Sequence, residues 1–83
     1  MNRVALIGIM IEDNKVAEEI NAILHEYSEY VIGRMGLPNV NGKMNVISLV
    51  LDAPVDIINA LSGKLGRVEG VTSKSICSKL EEE

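Results

Sequence analysis

Two short apolar runs, Val4–Ile11 (VALIGIMI) and Val46–Leu51 (VISLVL), restrict the folds open to this chain more than any other feature. Each is bounded by charge: Arg3 and Glu12 around the first, Lys43 and Asp52 around the second. Both are too short for a bilayer span, which needs ~20 apolar residues. Their length and β-branched content mark strands rather than buried helices. Strand side chains alternate between faces. Ile7, Ile9 and Ile11 therefore share one face, and Leu6, Gly8 and Met10 the other. In the second run Ile47, Leu49 and Leu51 lie opposite Val46, Ser48 and Val50. Neither face is polar, whereas a strand half exposed to water alternates apolar with polar residues. Both faces need cover. The bulkier set, Ile7/Ile9/Ile11 with Ile47/Leu49/Leu51, is expected under helices. The smaller set, with Gly8 and Ser48, needs another cover.

A chain of 83 residues is one small domain, expected over 1–80 with an acidic tail at 81–83. Domains of this size are marginal alone and often depend on disulfides, a metal or oligomerisation. The single cysteine, Cys77, rules out an intramolecular disulfide framework. With no CxxC and no Cys/His cluster, nothing points to a structural zinc or iron–sulfur site. No cofactor is indicated. Oligomerisation is the remaining aid, so a homo-oligomer, dimer or tetramer, is expected. Tyr27 and Tyr30 are the only aromatic residues, leaving little surface on which bases could stack. The net charge is −4, and no basic stripe offers a phosphate footprint. Direct nucleic-acid binding and membrane association are not expected. Met1-Asn2-Arg3 runs straight into the first strand without a signal-peptide layout, so a cytoplasmic location is expected.

After the first strand, Asp13 is a good N-cap, and Glu18 and Glu19 suit the positive end of a helix dipole. Val16, Ala17, Ile20, Ile23, Leu24 and Tyr27 recur at helical spacing, predicting a helix over 14–28. Tyr30–Pro38 (YVIGRMGLP) reads as a strand weakened by two glycines and closed by proline. Glycine in a strand often marks a bulge or a close approach by another backbone. Pro38–Gly42 is a turn, with Asn41-Gly42 a good hairpin pair. Past the second central strand, Pro54 suits the first turn of a helix. Ile57, Ile58, Leu61, Leu65 and Val68 give its apolar stripe, and Gly66 or Gly70 can end it through a left-handed residue. The mostly polar Val71–Ser78 suits a sheet edge, where Lys74 discourages further pairing. Lys79–Glu83 reads as a frayed end. The order strand–helix–strand–strand–helix–strand, with right-handed crossovers, is an α+β ferredoxin-like sandwich. Strands one and three would be central and both helices would lie on one face of a four-stranded antiparallel sheet. The bare apolar face then calls for assembly.

Candidate chemistry is sparse. His25, the only histidine, sits where a helix C-terminus favours a cation and needs no metal to explain it. Cys77 reads as a small edge or buried residue. A site joining His25 and Cys77 from different chains is open but not demanded. Arg34, inside Gly33-Arg34-Met35-Gly36, could grip an anion in bidentate fashion. The ordinary alternative is an edge arginine paired with a nearby carboxylate. Glu12, Asp13 and Asn14 could cap the helix, hold a cation or bind the amine of a small ligand. Gly63-Lys64-Leu65-Gly66-Arg67 lacks the spacing of a phosphate loop; Lys64 and Arg67 complement a helix C-terminus instead. No Ser/His/acid arrangement is present.

The segments RVALIGI (3–9), LHEY (24–27), VIGRMGLP (31–38) and LSGKLG (61–66) carry a family resemblance. The chain resembles the short, stand-alone proteins called iron-only hydrogenase system regulators. These belong to an ACT-like group near the effector domain of nickel-responsive regulators. GRMGLP is the most specific stretch. The resemblance implies the ferredoxin-like fold, an oligomer, and a regulatory rather than enzymatic role. ACT-like domains bind small effectors near the loop after strand one, which here points to Glu12, Asp13 and Asn14. The ribbon-helix-helix segment of nickel regulators is not in this sequence, and only His25 stands against their several histidines, so no metal ligand carries over. Two roles follow. One is a small effector-binding regulatory oligomer. The other is a structural or assembly module holding a hydrogenase-related protein partner. Acylphosphatase chemistry, which the fold also hosts, lacks its glycine-rich anion loop here.

Overall fold

The computed structural model describes residues 1–79; the acidic tail expected at 81–83 lies outside them. Four strands form one antiparallel sheet: β1 Asn2–Ile11, β2 Val31–Val40, β3 Met44–Pro54 and β4 Val71–Cys77. Their spatial order is β2-β3-β1-β4, so the two apolar strands are central and the glycine-rich and polar ones are edges. Helices α1 (Ala17–Glu26) and α2 (Val55–Gly66) connect the strands.

Register sorts the side chains. On the helix side the rows across the sheet are Val31–Leu51–Ala5–Cys77, Arg34–Leu49–Ile7–Ser75 and Gly36–Ile47–Ile9–Ser73. Ile7, Ile9, Leu49 and Leu51 are fully buried there beneath Ile20 and Leu24 of α1 and Ile58, Leu61 and Leu65 of α2. On the other side the rows are Gly33–Val50–Leu6–Ile76, Met35–Ser48–Gly8–Lys74 and Leu37–Val46–Met10–Thr72. No element of the described chain covers this side: Leu6, Met35 and Ile76 are 41%, 59% and 70% exposed. One chain builds one roof.

The elements differ from the sequence expectation where local geometry intervenes. The helix expected over 14–28 divides into a 3-10 turn at Asn14–Val16, α1 proper, and a second 3-10 turn at Ser28–Tyr30. Asp13 caps the first turn, its Oδ1 accepting from the Lys15 N–H at 2.9 Å. The strand expected to close at Pro38 runs on to Val40. Because β2 is an edge strand, the missing proline donor breaks no ladder that the fold requires. The hairpin turn is tighter than expected. Asn41 and Gly42, at φ 55° and 67°, form its centre, and Lys43 N donates to Val40 O at 3.1 Å. This is the mirror-image turn that suits twisted hairpins. Helix α2 stops at Gly66 with Arg67 still in a right-handed conformation. The left-handed glycine is Gly70, φ 80°, which turns the chain into β4.

Candidate functional site

Two irregularities in β2 shape the molecule's most developed concavity. Val31 pairs with Leu51 and Gly33 with Val50, so Ile32 is an extra residue in the ladder. A bulge of this kind re-aims the side chains beyond it. Simple alternation from Val31 would turn Arg34 to the bare face. The bulge instead sets it opposite Leu49, on the helix side. A second shift, between Leu37 and Val40, includes Asn39 at φ 54°.

Helix α1 packs over the central strands and leaves the helix side of β2 partly open. Arg34 and Gly36 are accordingly exposed although they face the helix layer. A groove runs between α1 and β2 in two compartments. One, of about 280 Å³, has Ile11, Ile20 and Ile47 in its lining, with Arg34, Asn21 and Asn45 as polar walls. The other, of about 470 Å³, lies beside Leu24, His25, Val31 and Leu49. Arg34 and Asn21 line both. They meet across the groove, Arg34 Nη2 donating to Asn21 Oδ1 at 3.0 Å. Asn45 is held at the end of the first compartment. Its Oδ1 accepts from the Asn39 N–H at 3.0 Å, and its Nδ2 donates to Asn14 Oδ1 at 3.3 Å.

This arrangement has recognisable chemistry. Arg34 carries five N–H donors in a rigid fork. Its partner is an uncharged amide, and among the described residues no carboxylate forms a salt bridge with it. The ordinary alternative of an arginine neutralised by a carboxylate is not what the structure shows. The guanidinium stands over an aliphatic floor with most of its donors free for an anion. Gly36 lines the first compartment, and a Cβ added to it would meet nothing within 4 Å. Its missing side chain leaves space in the groove. Aliphatic walls with a few convergent polar groups are the usual make-up of a small-molecule site.

Of the four residues singled out in the sequence, the structure sets two at this groove. Arg34 forms part of its wall, and Asn14 reaches it through Asn45. Glu12 and Asp13 turn toward the α2–β4 connection. Glu12 N donates to Gly70 O at 2.8 Å, and Asp13 Cβ would lie 3.1 Å from a Cβ at position 70. His25 borders the second compartment, on the last turn of α1. Cys77 is half-buried against the core on the opposite edge strand. Among the described residues no three His, Cys, Asp or Glu side chains gather where they could hold a metal ion. Asn21 and Asn45 were not visible as site residues in the sequence. They come from a helix and from the start of β3, and no spacing links them to Arg34.

The sheet order, the single helix layer and the groove beside the first helix define an ACT-like, ferredoxin-like domain. Over residues 3–75 the chain matches the model of the TM1266-like family, described as "Iron-only hydrogenase system regulator, putative". It belongs to that family. It is similar to the uncharacterized protein TM1266 from Thermotoga maritima, with 37% identity over 95% of this chain and 100% of that one, at a TM-score of 0.88. The ACT domain from GTP pyrophosphokinase of Chlorobium tepidum shares 25% identity over 99% of this chain and 93% of that one, at a TM-score of 0.67. CPII, a nitrogen regulatory PII-like protein from Thiomonas intermedia, shares the fold at a TM-score of 0.50 and 17% identity, over 94% and 96% of the two chains. No curated protein matches the chain.

Proposed function

We propose that this chain is a small effector-binding regulatory protein of an iron-only hydrogenase system, working as a homo-oligomer and by binding rather than catalysis. The family's description and the likeness to an ACT domain support the regulatory part. One observation carries the effector part: an arginine with no carboxylate partner among the described residues lines an aliphatic groove kept open at Gly36. A ligand there touches α1, β2 and β3 together. It shifts the population toward whichever assembly or partner complex holds those elements best, by its differential affinity.

The test is a thermal-shift panel of amino acids, nucleotides and divalent metals. A ligand that binds only the folded state, at about 100 times its dissociation constant, adds about 2.7 kcal/mol. For a domain of this size that is a rise of roughly 10 °C or more. An anionic compound is expected to give it, and Arg34→Ala is expected to weaken that compound by roughly 10- to 100-fold, the worth of a charge-assisted hydrogen bond. A flat response across the panel contradicts effector binding and favours the alternative, an assembly module that holds a hydrogenase-related protein on the bare sheet face.

A further inference from the structure

We infer that the helix-free face of the sheet is the surface on which a second copy of this chain docks, face to face, about a two-fold axis passing over Leu6. This deepens the proposed self-assembly by naming its surface, and concerns the side of the sheet opposite the groove.

The sheet edges are poorly suited to the task. Strand β2 has two breaks in its register and contains Pro38, which has no N–H to offer a further strand. Strand β4 is short and carries Lys74. The face is open and apolar instead, with Val4, Leu6, Met10, Met35, Leu37 and Ile76 all exposed on it. Four strands ~4.8 Å apart and rows ~6.8 Å apart make a patch of roughly 450 Å² per copy before side-chain relief is counted. Two such patches give roughly 900 Å², and side-chain relief carries the total toward the ~1,000 Å² that a biological interface should clear.

Charge identifies the occupant. Among the described residues the face carries one acid, Asp52, beside Val4, and one base, Lys74, beside Gly8. Asp52 Oδ1 is shielded from solvent with no hydrogen-bond partner, and Lys74 has no salt-bridge partner among the described residues. The register places them symmetrically. Asp52 is one strand and one row from Leu6 in one direction, and Lys74 is one strand and one row from it in the other. A two-fold axis in the plane of contact, passing over Leu6 and across that diagonal, exchanges the two. Each copy's Lys74 then meets the other's Asp52, twice per dimer. Such self-complementarity is the mark of an isologous contact.

Gly8 agrees with this. Glycine weakens a strand interior, and here the backbone does not require it, since its φ is not positive. A Cβ at position 8 would meet nothing within 4 Å. No packing among the described residues excludes a side chain there. Gly8 instead helps form a depression of about 150 Å³ bordered by Met10, Val46 and Lys74, into which a side chain of the facing copy fits.

The test is sedimentation equilibrium on the wild type and four variants: Gly8→Val, Lys74→Glu, Asp52→Lys and the Asp52→Lys/Lys74→Glu double variant. Circular dichroism melts check folding in each. The wild type is expected to dimerise. Gly8→Val and Lys74→Glu should each weaken the dimer at least tenfold while remaining folded. The double variant should recover most of the affinity lost by Lys74→Glu. Should Asp52→Lys fail to fold, Gly8→Val and Lys74→Glu decide the matter alone. A dimer untouched by both overturns this surface but leaves self-assembly through another standing. A wild type that stays monomeric overturns both.

Discussion

At the scale of single residues, two glycines make opposite predictions. Gly36 lies extended at the groove with free space where a Cβ would stand. Gly36→Val should leave stability unchanged or slightly raised, since β-branched residues suit strands, and should abolish the thermal shift of any effector. Gly70 has φ 80°, and a Cβ there would sit 3.1 Å from Asp13 Cβ. Gly70→Ala should therefore lose about 1–2 kcal/mol in denaturant unfolding. The residues of the core were legible in the sequence because alternation in two central strands fixes their faces. The groove was legible only in part. Arg34 could be singled out as an arginine between glycines, but its side of the sheet could not. One bulged residue, Ile32, reverses the parity of the strand from Gly33 to Leu37, and nothing in the spacing counts that residue. Asn21 meets Arg34, and Asn45 lines the same compartment, through helix placement and register, which composition does not encode.

At the scale of elements, the strand–helix pattern was readable because each stripe has a clear period. The ends were not, because caps and edges obey local rules. Pro38 looked like a terminator and is tolerated because β2 has a free side. The ends of the two helices are tied by Lys64 of α2, whose Nζ lies 3.0 Å from Glu26 Oε2 and 5.1 Å from the Tyr27 ring centroid. The hydrogen bond to Glu26, then that to Tyr27, raises the Lys64 pKa above its ordinary 10.5. A group whose folded pKa is raised adds stability that is complete below its unfolded value and lost as pH climbs through the folded one. The stability gap between wild type and Lys64→Met should thus be constant from neutral pH to about 10 and close above it. Because the pair is exposed, the gap should be small and should shrink with salt. A gap that closes near neutral pH would contradict the assignment.

At the scale of the whole molecule, the chain supplies helices for one side of its sheet and apolar side chains for both. The alternation in β1 and β3 already implies that imbalance, and the structure shows where it falls: Leu6, Met10, Met35 and Ile76 lie exposed, while Ile7, Ile9, Leu49 and Leu51 lie fully buried. The proposed regulation by an effector in the groove also depends on this, because a ligand that redistributes assemblies needs assemblies to redistribute. The decisive measurement is the solution mass of the purified wild-type protein across a dilution series from about 100 µM to about 1 µM, a range that brackets micromolar affinity. The account predicts a particle of at least twice the 9.0 kDa chain at the upper end, giving way to smaller species on dilution. A single 9.0 kDa species throughout, folded and soluble, would contradict it.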